Sequence, residues 1–289
     1  VVEAFRSFCA ELKRVFHGPG DTLPAGDVPR LGNYLREEFL PFSQLAETLS
    51  RIIECPRGYH PDAVTLQMIG DGGGHGRTRI GRALDAAFLT EPVCHALRRR
   101  QRQLGDKLRE LCESASPGGS HVAVLAPGMA DEPLGAVARS PGALKLSLVE
   151  SDPDALEYLD ARLETGGGAV SVIESSLQQQ PGEPALPGGL PPQHAILALH
   201  SLDRLADDAA LRLLDACHER LADDGMLVVA ALDPGNGSLA FLEHMLGWKV
   251  HARDEQALNG LLTRSRFGRP CGELRSDDET MDRLAVCRK

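Results

Sequence analysis

The sequence predicts an α/β chain, with an all-helical N-terminal region and a mostly parallel sheet after it. Three observations predict this. Up to about residue 113 the apolar residues recur at helical spacing. Residues 114–120, SASPGGS, interrupt that pattern with small and turn-forming residues. Beyond them short apolar runs alternate with amphipathic helices, the arrangement that builds a parallel sheet. The expected domains are therefore 1–118, helical, and 119–289, the sheet.

In the helical region, Ala4, Phe5, Phe8, Leu12, Val15 and Phe16 form a first stripe, and residues 17–27 read as a loop through their Gly and Pro content. Leu31, Tyr34, Leu35, Phe39, Leu45, Leu49 and Ile52 continue a helical stripe, bent or broken at Pro41. Residues 55–59 form a turn, 70–76 a flexible glycine-rich loop, and 77–88 and 91–113 two further helices. Leu97, Leu104, Leu108 and Leu111 make the apolar seam of the last. Strands are expected near 121–126, 145–150, 169–173, 194–200 and 225–232, with a clear helix at 207–222. Residues 178–193, rich in Pro, Gly and Gln, read as a surface loop. A helix at 239–246, a strand at 248–252, another helix and a strand at 282–287 complete the sheet.

The composition excludes several classes. With 42% hydrophobic residues among 289, a packed core needs neither disulfides nor metal, and no metal site is expected. The net charge of −10 argues against a protein that coats nucleic acid or an anionic membrane. Seven cysteines, with no CxxC pair, suit a reducing cytoplasm. No apolar run approaches the ~20 residues that span a bilayer. No charged-then-apolar leader is expected, and the start at Val1 suggests a trimmed N-terminus.

The chemistry concentrates between His121 and Glu164. An apolar run ends in Ala126-Pro127-Gly128-Met129-Ala130, small residues that let backbone approach a ligand. A second run, 146–149, ends in Glu150, where a carboxylate at the tip of the second strand usually grips a ribose diol. Asp152-Pro153-Asp154 then opens a helix. The turn is not GxGxxG, the pattern that cradles a pyrophosphate. A nucleoside ligand without a pyrophosphate fits better, and S-adenosylmethionine is such a ligand.

These residues bring out a resemblance. The C-terminal part resembles the class I S-adenosylmethionine-dependent methyltransferases. Within them the chain is most similar to bacterial enzymes related to the synthase of 3-hydroxypalmitic acid methyl ester, a quorum signal. Their KPRGYAGD-like turn and following M-x-M-I correspond to CPRGYHP (55–61) and LQMI (66–69). Their FGR…FL…P…A-x-R-N-R-R stretch corresponds to IGRALDAAFLTEPVCHALRRR (80–100), and LACGPAxE to LAPGMADE (125–132). GLFDYL, LxPGGxLxxxN and MEYLLDWxLxYRT correspond to HSLDRL (200–205), LADDGMLVVAAL (221–232) and FLEHMLGWKVHARD (241–254). Pro127 and Met129 depart from the family's cofactor turn, residues after Tyr59 lack its Ala-Gly-Asp, and 200–204 lack its Gly, Phe and Tyr.

The resemblance implies a Rossmann-like sheet with its last strand antiparallel, covered by a helical lid. It implies S-adenosylmethionine as cofactor and methyl transfer to a small molecule, an acyl carboxylate or a natural-product intermediate. Leu125, Ala126, Gly128 and Ala130 would face the amino-acid tail, and Glu150 the ribose. Ser151 and Asp152 would flank the adenine, with Ser175, Ser176 and Leu177 on its other edge. His200, Ser201 and Leu202 would line the floor. His200 is the candidate base, with Asp203 either orienting it or capping the next helix. The arginines at 98, 99, 100 and 102 read as a solvated helix face, from which Arg98, by its place in the motif, would reach a carboxylate of cofactor or substrate. Arg57 and Tyr59 are expected substrate contacts, and Tyr34 faces either the same cavity or the helical core. The departures keep two alternatives open: a cofactor-binding enzyme with a non-methylating step, and a non-catalytic binding module. A homodimer is compatible with all three.

Overall fold

The computed structural model describes residues 1–17, 23–24, 26–163, 169–176, 186–277 and 279–289. The chain divides into two compact units. The first comprises Val1–Arg98, Pro234–Val250 and Asp278–Met281, and the second Arg99–Asp233, His251–Asp277 and Asp282–Lys289.

The first unit is helical: α1 (Val2–His17), α2 (Asp27–Ser43), α3 (Glu47–Glu54), α4 (Ala63–Asp71), α5 (Arg79–Phe88) and the start of α6 (Pro92–Glu113). Pro41 sits inside the last turn of α2 and the break follows at 44–46, because a proline near a helix C-terminus removes little of the ladder. Helix α3 starts without a side-chain cap of its own. Instead the buried Asp85 of α5 accepts from the backbone of Glu47, Thr48 and Leu49, taking up orphan donors of that N-terminus. Asp62 caps α4 through Thr65 N and is paired with Arg51 at 2.7 Å. Helix α4 is absent from the sequence-based expectations, and it reaches into the predicted loop before Gly72 ends it. Phe241, from the segment after the main sheet strands, is the hub of this core. Phe5, Phe39, Phe88 and Phe8 surround it, with ring centroids at 5.0, 5.7, 6.1 and 6.4 Å.

The second unit carries seven strands: β1 (Ser120–Leu125), β2 (Leu144–Glu150), β3 (Val170–Glu174), β4 (Gln193–Ala198), β5 (Leu221–Leu232), β6 (Glu273–Asp277) and β7 (Asp282–Arg288). Their order is β3-β2-β1-β4-β5-β7-β6. The first five pair in parallel, and β7 runs antiparallel to both β5 and β6. This is the Rossmann-like methyltransferase fold expected, with its helical N-terminal region. The central strands β1, β2, β4 and the second half of β5 are buried on both faces, as a parallel sheet requires, while the edge strands β3 and β6 are more exposed. Ala123, Leu125, Ile196, Val229 and Ala231 pack with α9 (Asp207–Arg220) and α10 (Glu255–Arg264). Val122, Val124, Leu146, Leu148 and Ala230 pack with α6, α7 (Asp131–Arg139) and α8 (Pro153–Leu163).

One strand moves. The expected strand at 248–252 has no regular structure, and the sixth strand is β6 instead. Trp248 is 2% exposed and stacks on His60, so its apolar signal belongs to the first unit's core and not to a sheet. Among the described residues no helix is long and apolar enough to cross a membrane. All seven cysteines are unpaired.

Candidate functional site

In the second unit the strand order reverses direction between β1 and β4, the place where open α/β sheets bind ligands beyond their carboxyl ends. The chain after β1 turns through Ala126, Gly128 and Ala130 at φ of 50, 62 and 54°. Two of these are alanines in the left-handed region, which costs a residue with a Cβ about 1–2 kcal/mol. Such strain persists only where surroundings hold it, and it clusters at ligand sites. The holding contacts are Ala126 N to Val149 O at 2.9 Å and Gly128 N to Glu150 Oε2 at 2.9 Å.

Glu150 stands at the end of β2, as expected, and is 4% exposed. Its Oε1 accepts from Ser151 N at 2.8 Å and Asp152 N at 3.0 Å. Burial pushes its pKa up, opposed by these three N–H donors and by the charge of Arg204. Three bonds leave an ionised carboxylate one lone-pair direction for a ligand. Asp152 accepts from Asp154 N at the start of α8, and Ser175, just past β3, donates its N–H to Glu150 O at 2.9 Å. Ser151, Asp152, Ser175 and Ser176 therefore cluster beside Glu150 through the β2–β3 pairing. Leu125 and Ala126 are buried at the end of β1. Leu177 lies outside the described residues.

Beyond β4 the situation differs. His200 is 5% and Ser201 1% exposed, yet His200 Nδ1 and Ser201 Oγ find no hydrogen-bond partner among the described residues. Burial first, then the charges of Arg100 and Arg204, push the His200 pKa well below its usual value, so the imidazole is neutral at pH 7. Leu202 is fully buried. Asp203 is committed elsewhere: its Oδ2 accepts from Arg100 Nη1 at 2.6 Å and its Oδ1 from Leu232 N at 2.9 Å. Neither bond is to the His200 ring, and neither is a cap of α9.

Arg100 is the residue that sequence reasoning misses. Its side chain is completely buried, bonds Leu199 O at 2.9 Å and also pairs with Asp282 at 2.6 Å. A solvated helix face does not describe it. It lies on the seam of Leu97, Leu104, Leu108 and Leu111, and that spacing is the signal that could have found it. Arg98 sits in the first unit, where its guanidinium donates to Ile69 O at 3.0 Å and Leu89 O at 2.7 Å, tying down two helix C-termini. Arg57 and Tyr59 are half-buried in the first unit, in the turn after α3, and Tyr34 is 58% exposed. The same unit has an open apolar surface groove of about 570 Å³ lined by Phe5, Phe8, Phe39, Phe42, Ile80 and Leu84.

No family model matches the sequence, and no characterised protein matches it by sequence. Solved structures match the fold. A protein from Bordetella parapertussis, provisionally described as exported, is similar over 100% of this chain and 97% of its own, at 16% identity and a TM-score of 0.65. A protein from Thermobifida fusca, provisionally described as a methyltransferase, is similar over 78% of this chain and 94% of its own, at 17% identity and a TM-score of 0.52. At these identities the likeness is one of fold.

Proposed function

We propose that the chain is an S-adenosylmethionine-dependent methyltransferase acting on a small molecule. The observation that carries this is the pair of buried polar atoms without partners, His200 Nδ1 and Ser201 Oγ, beyond the strand next to the strained turn. Ten buried polar side-chain atoms lack a hydrogen-bond partner among the described residues; these two stand just past β4 at the reversal point of the sheet, where a ligand would supply the missing bonds. The Thermobifida fusca likeness and the order of sequence motifs support the same reading.

The residues present fit that cofactor. The N–H groups of Ala126, Gly128 and Ala130 already bond within the chain, so the backbone there would meet the amino-acid tail through its carbonyls. Glu150 would offer its remaining lone pair to the ribose, and Ser151, Asp152, Ser175 and Ser176 would border the adenine. When bound, S-adenosylmethionine supplies an electrophilic methyl group on a sulfonium. For a hydroxyl or amine acceptor, neutral His200 with its unpartnered Nδ1 would be the candidate proton acceptor, a weak one because burial and the charges of Arg100 and Arg204 disfavour its protonated form. For a carboxylate acceptor no base is needed, and holding the two reactants in line is most of the catalysis.

A second reading, a fold that binds no such cofactor, is favoured by one observation: Glu150 already accepts three backbone N–H bonds. Calorimetric titration with S-adenosylmethionine separates the two. The proposal expects saturable binding and an affinity loss of roughly ten- to a hundredfold in Glu150→Ala, the equivalent of about 1–3 kcal/mol. It also expects an acceptor product heavier by one methylene unit. No binding by the unaltered protein leaves only the second reading, and binding without that mass gain points to a non-methylating step.

A further inference from the structure

We propose that the first unit carries a divalent transition-metal site, with Zn²⁺ as the fitting ion, formed by His17, Glu243 and His244. One candidate ligand atom from each of these residues lies within 4.8 Å of the others. Two imidazoles and one carboxylate are the donor set that borderline ions of the zinc class prefer. Hard ions such as Mg²⁺ and Ca²⁺ prefer oxygen-only shells. His17 is far in sequence from the adjacent pair Glu243 and His244, and the fold of this unit brings them together.

Three features show how the ligands are held. Glu243 and His244 lie on a π-helical turn, Phe241–Leu246. Such turns are rare and are frequently found at functional sites. The His244 ring is fixed in place. It stacks on Phe16 with centroids 3.8 Å apart and planes 16° apart, and its Nδ1 lies 3.3 Å from where a Cβ at Gly32 would stand. A side chain at Gly32 would press on that ring, so glycine leaves the room the imidazole uses. Finally, Arg36 donates to the carbonyls of Glu243 at 3.1 Å and His244 at 3.4 Å, fixing the backbone that bears two of the three ligands. His17 is the last residue of α1, with its ring centroid 6.0 Å from that of His244. Coordination at about 2.0–2.2 Å requires the exposed His17 and Glu243 side chains to close on the held His244 ring. Three protein ligands leave a fourth tetrahedral position open to water, since the site is at the surface.

The bond-forming step is simple coordination, with release of whatever protons the imidazoles hold. A metal here would tie the end of α1 to the segment that carries Phe241, the hub of this core. This inference does not depend on methyl transfer, and its test does not read activity.

The test is a calorimetric Zn²⁺ titration of the full chain, freed of metal by chelator, beside His17→Ala, Glu243→Gln and His244→Ala. His121→Ala, which removes one of another close histidine pair, serves as control. The expected result is one saturable Zn²⁺ site in the unaltered protein and in the control, weakened more than about tenfold in each ligand variant. Thermal unfolding of the unaltered protein should shift upward with Zn²⁺, as binding to the native state requires, and not with Mg²⁺. His17 and Glu243 are exposed, so their variants keep the test decisive if His244→Ala fails to fold. No saturable site, or undiminished affinity in His17→Ala and Glu243→Gln, overturns the proposal.

Discussion

The carboxyl ends of β2 and β4 flank β1 in one sheet, yet they are finished in opposite ways. At the β2 end the buried group, Glu150, is answered by three backbone N–H donors. At the β4 end the buried groups of His200 and Ser201 are left with unpartnered atoms. An unmade buried hydrogen bond costs about 1–3 kcal/mol, so the second arrangement sacrifices stability that the first secures. The difference is one of self-sufficiency. At the β2 end the chain's own donors hold the buried carboxylate, whereas at the β4 end two buried polar atoms have no partner among the described residues, and under the proposed function a bound molecule would supply it.

The largest effect should come from the cluster behind the β4 end. Arg100 is completely buried between Asp203 and Asp282 and also holds Leu199 O, immediately before His200. Arg100→Met should leave two buried carboxylates without their cation and cost about 3–5 kcal/mol in urea unfolding. Replacing both aspartates by Asn in the same protein should recover much of that loss. A loss below about 1 kcal/mol would mean that water reaches the cluster and that the β4 end is not anchored as described.

A buried carboxyl of the first unit puts the β2 end in scale. Glu91 is 3% exposed, and its pKa is pushed up to about 7, chiefly by burial, with the Cys9 thiol opposing. Raised in the folded state, it binds its proton more tightly than the unfolded chain does. Its contribution is therefore complete at pH below the usual carboxylate range and is lost as pH rises toward about 7. The unaltered protein should lose at most about 3 kcal/mol of stability to this group between about pH 4.5 and pH 8. Glu91→Gln should flatten that slope. An unchanged slope in the variant would assign the titration to another group.

Much of this contrast is legible in the sequence. The turn at 126–130, Glu150 one strand later, and His200 at the end of β4 follow from apolar runs that stop at small or polar residues. What the sequence hides has physical causes. Strand β6 reads ELRSD, a charged edge strand without apolar alternation, so it emits no strand signal. The alternation at Trp248 and Val250 mimics a strand because aromatic packing in the first unit produces the same pattern. The charge of Arg100 points to solvent, although its spacing from Leu97 and Leu104 puts it on the buried seam. Left-handed backbone at Ala126 and Ala130 has no sequence marker at all, since nothing in an alanine side chain favours it.

The smallest loss of stability is also the sharpest probe of the comparison. Ser201→Ala removes a buried hydroxyl that has no partner among the described residues, so the folded protein loses no bond and sheds a desolvated group. Relieved of that cost and losing only the packing of one oxygen, the protein should be no less stable than the unaltered one, with a gain of at most about 1–3 kcal/mol. Glu150→Ala strips the partner from three N–H donors and should cost about 1–3 kcal/mol under the same conditions. In ligand binding the two should converge, because a bound molecule would complete the Ser201 hydrogen bond that the chain leaves unmade. Chemical denaturation of both variants, with and without S-adenosylmethionine, reads both halves. A Ser201→Ala protein destabilised as much as Glu150→Ala would show that the β4 end is sealed by the chain itself, and the distinction between the two strand ends would disappear.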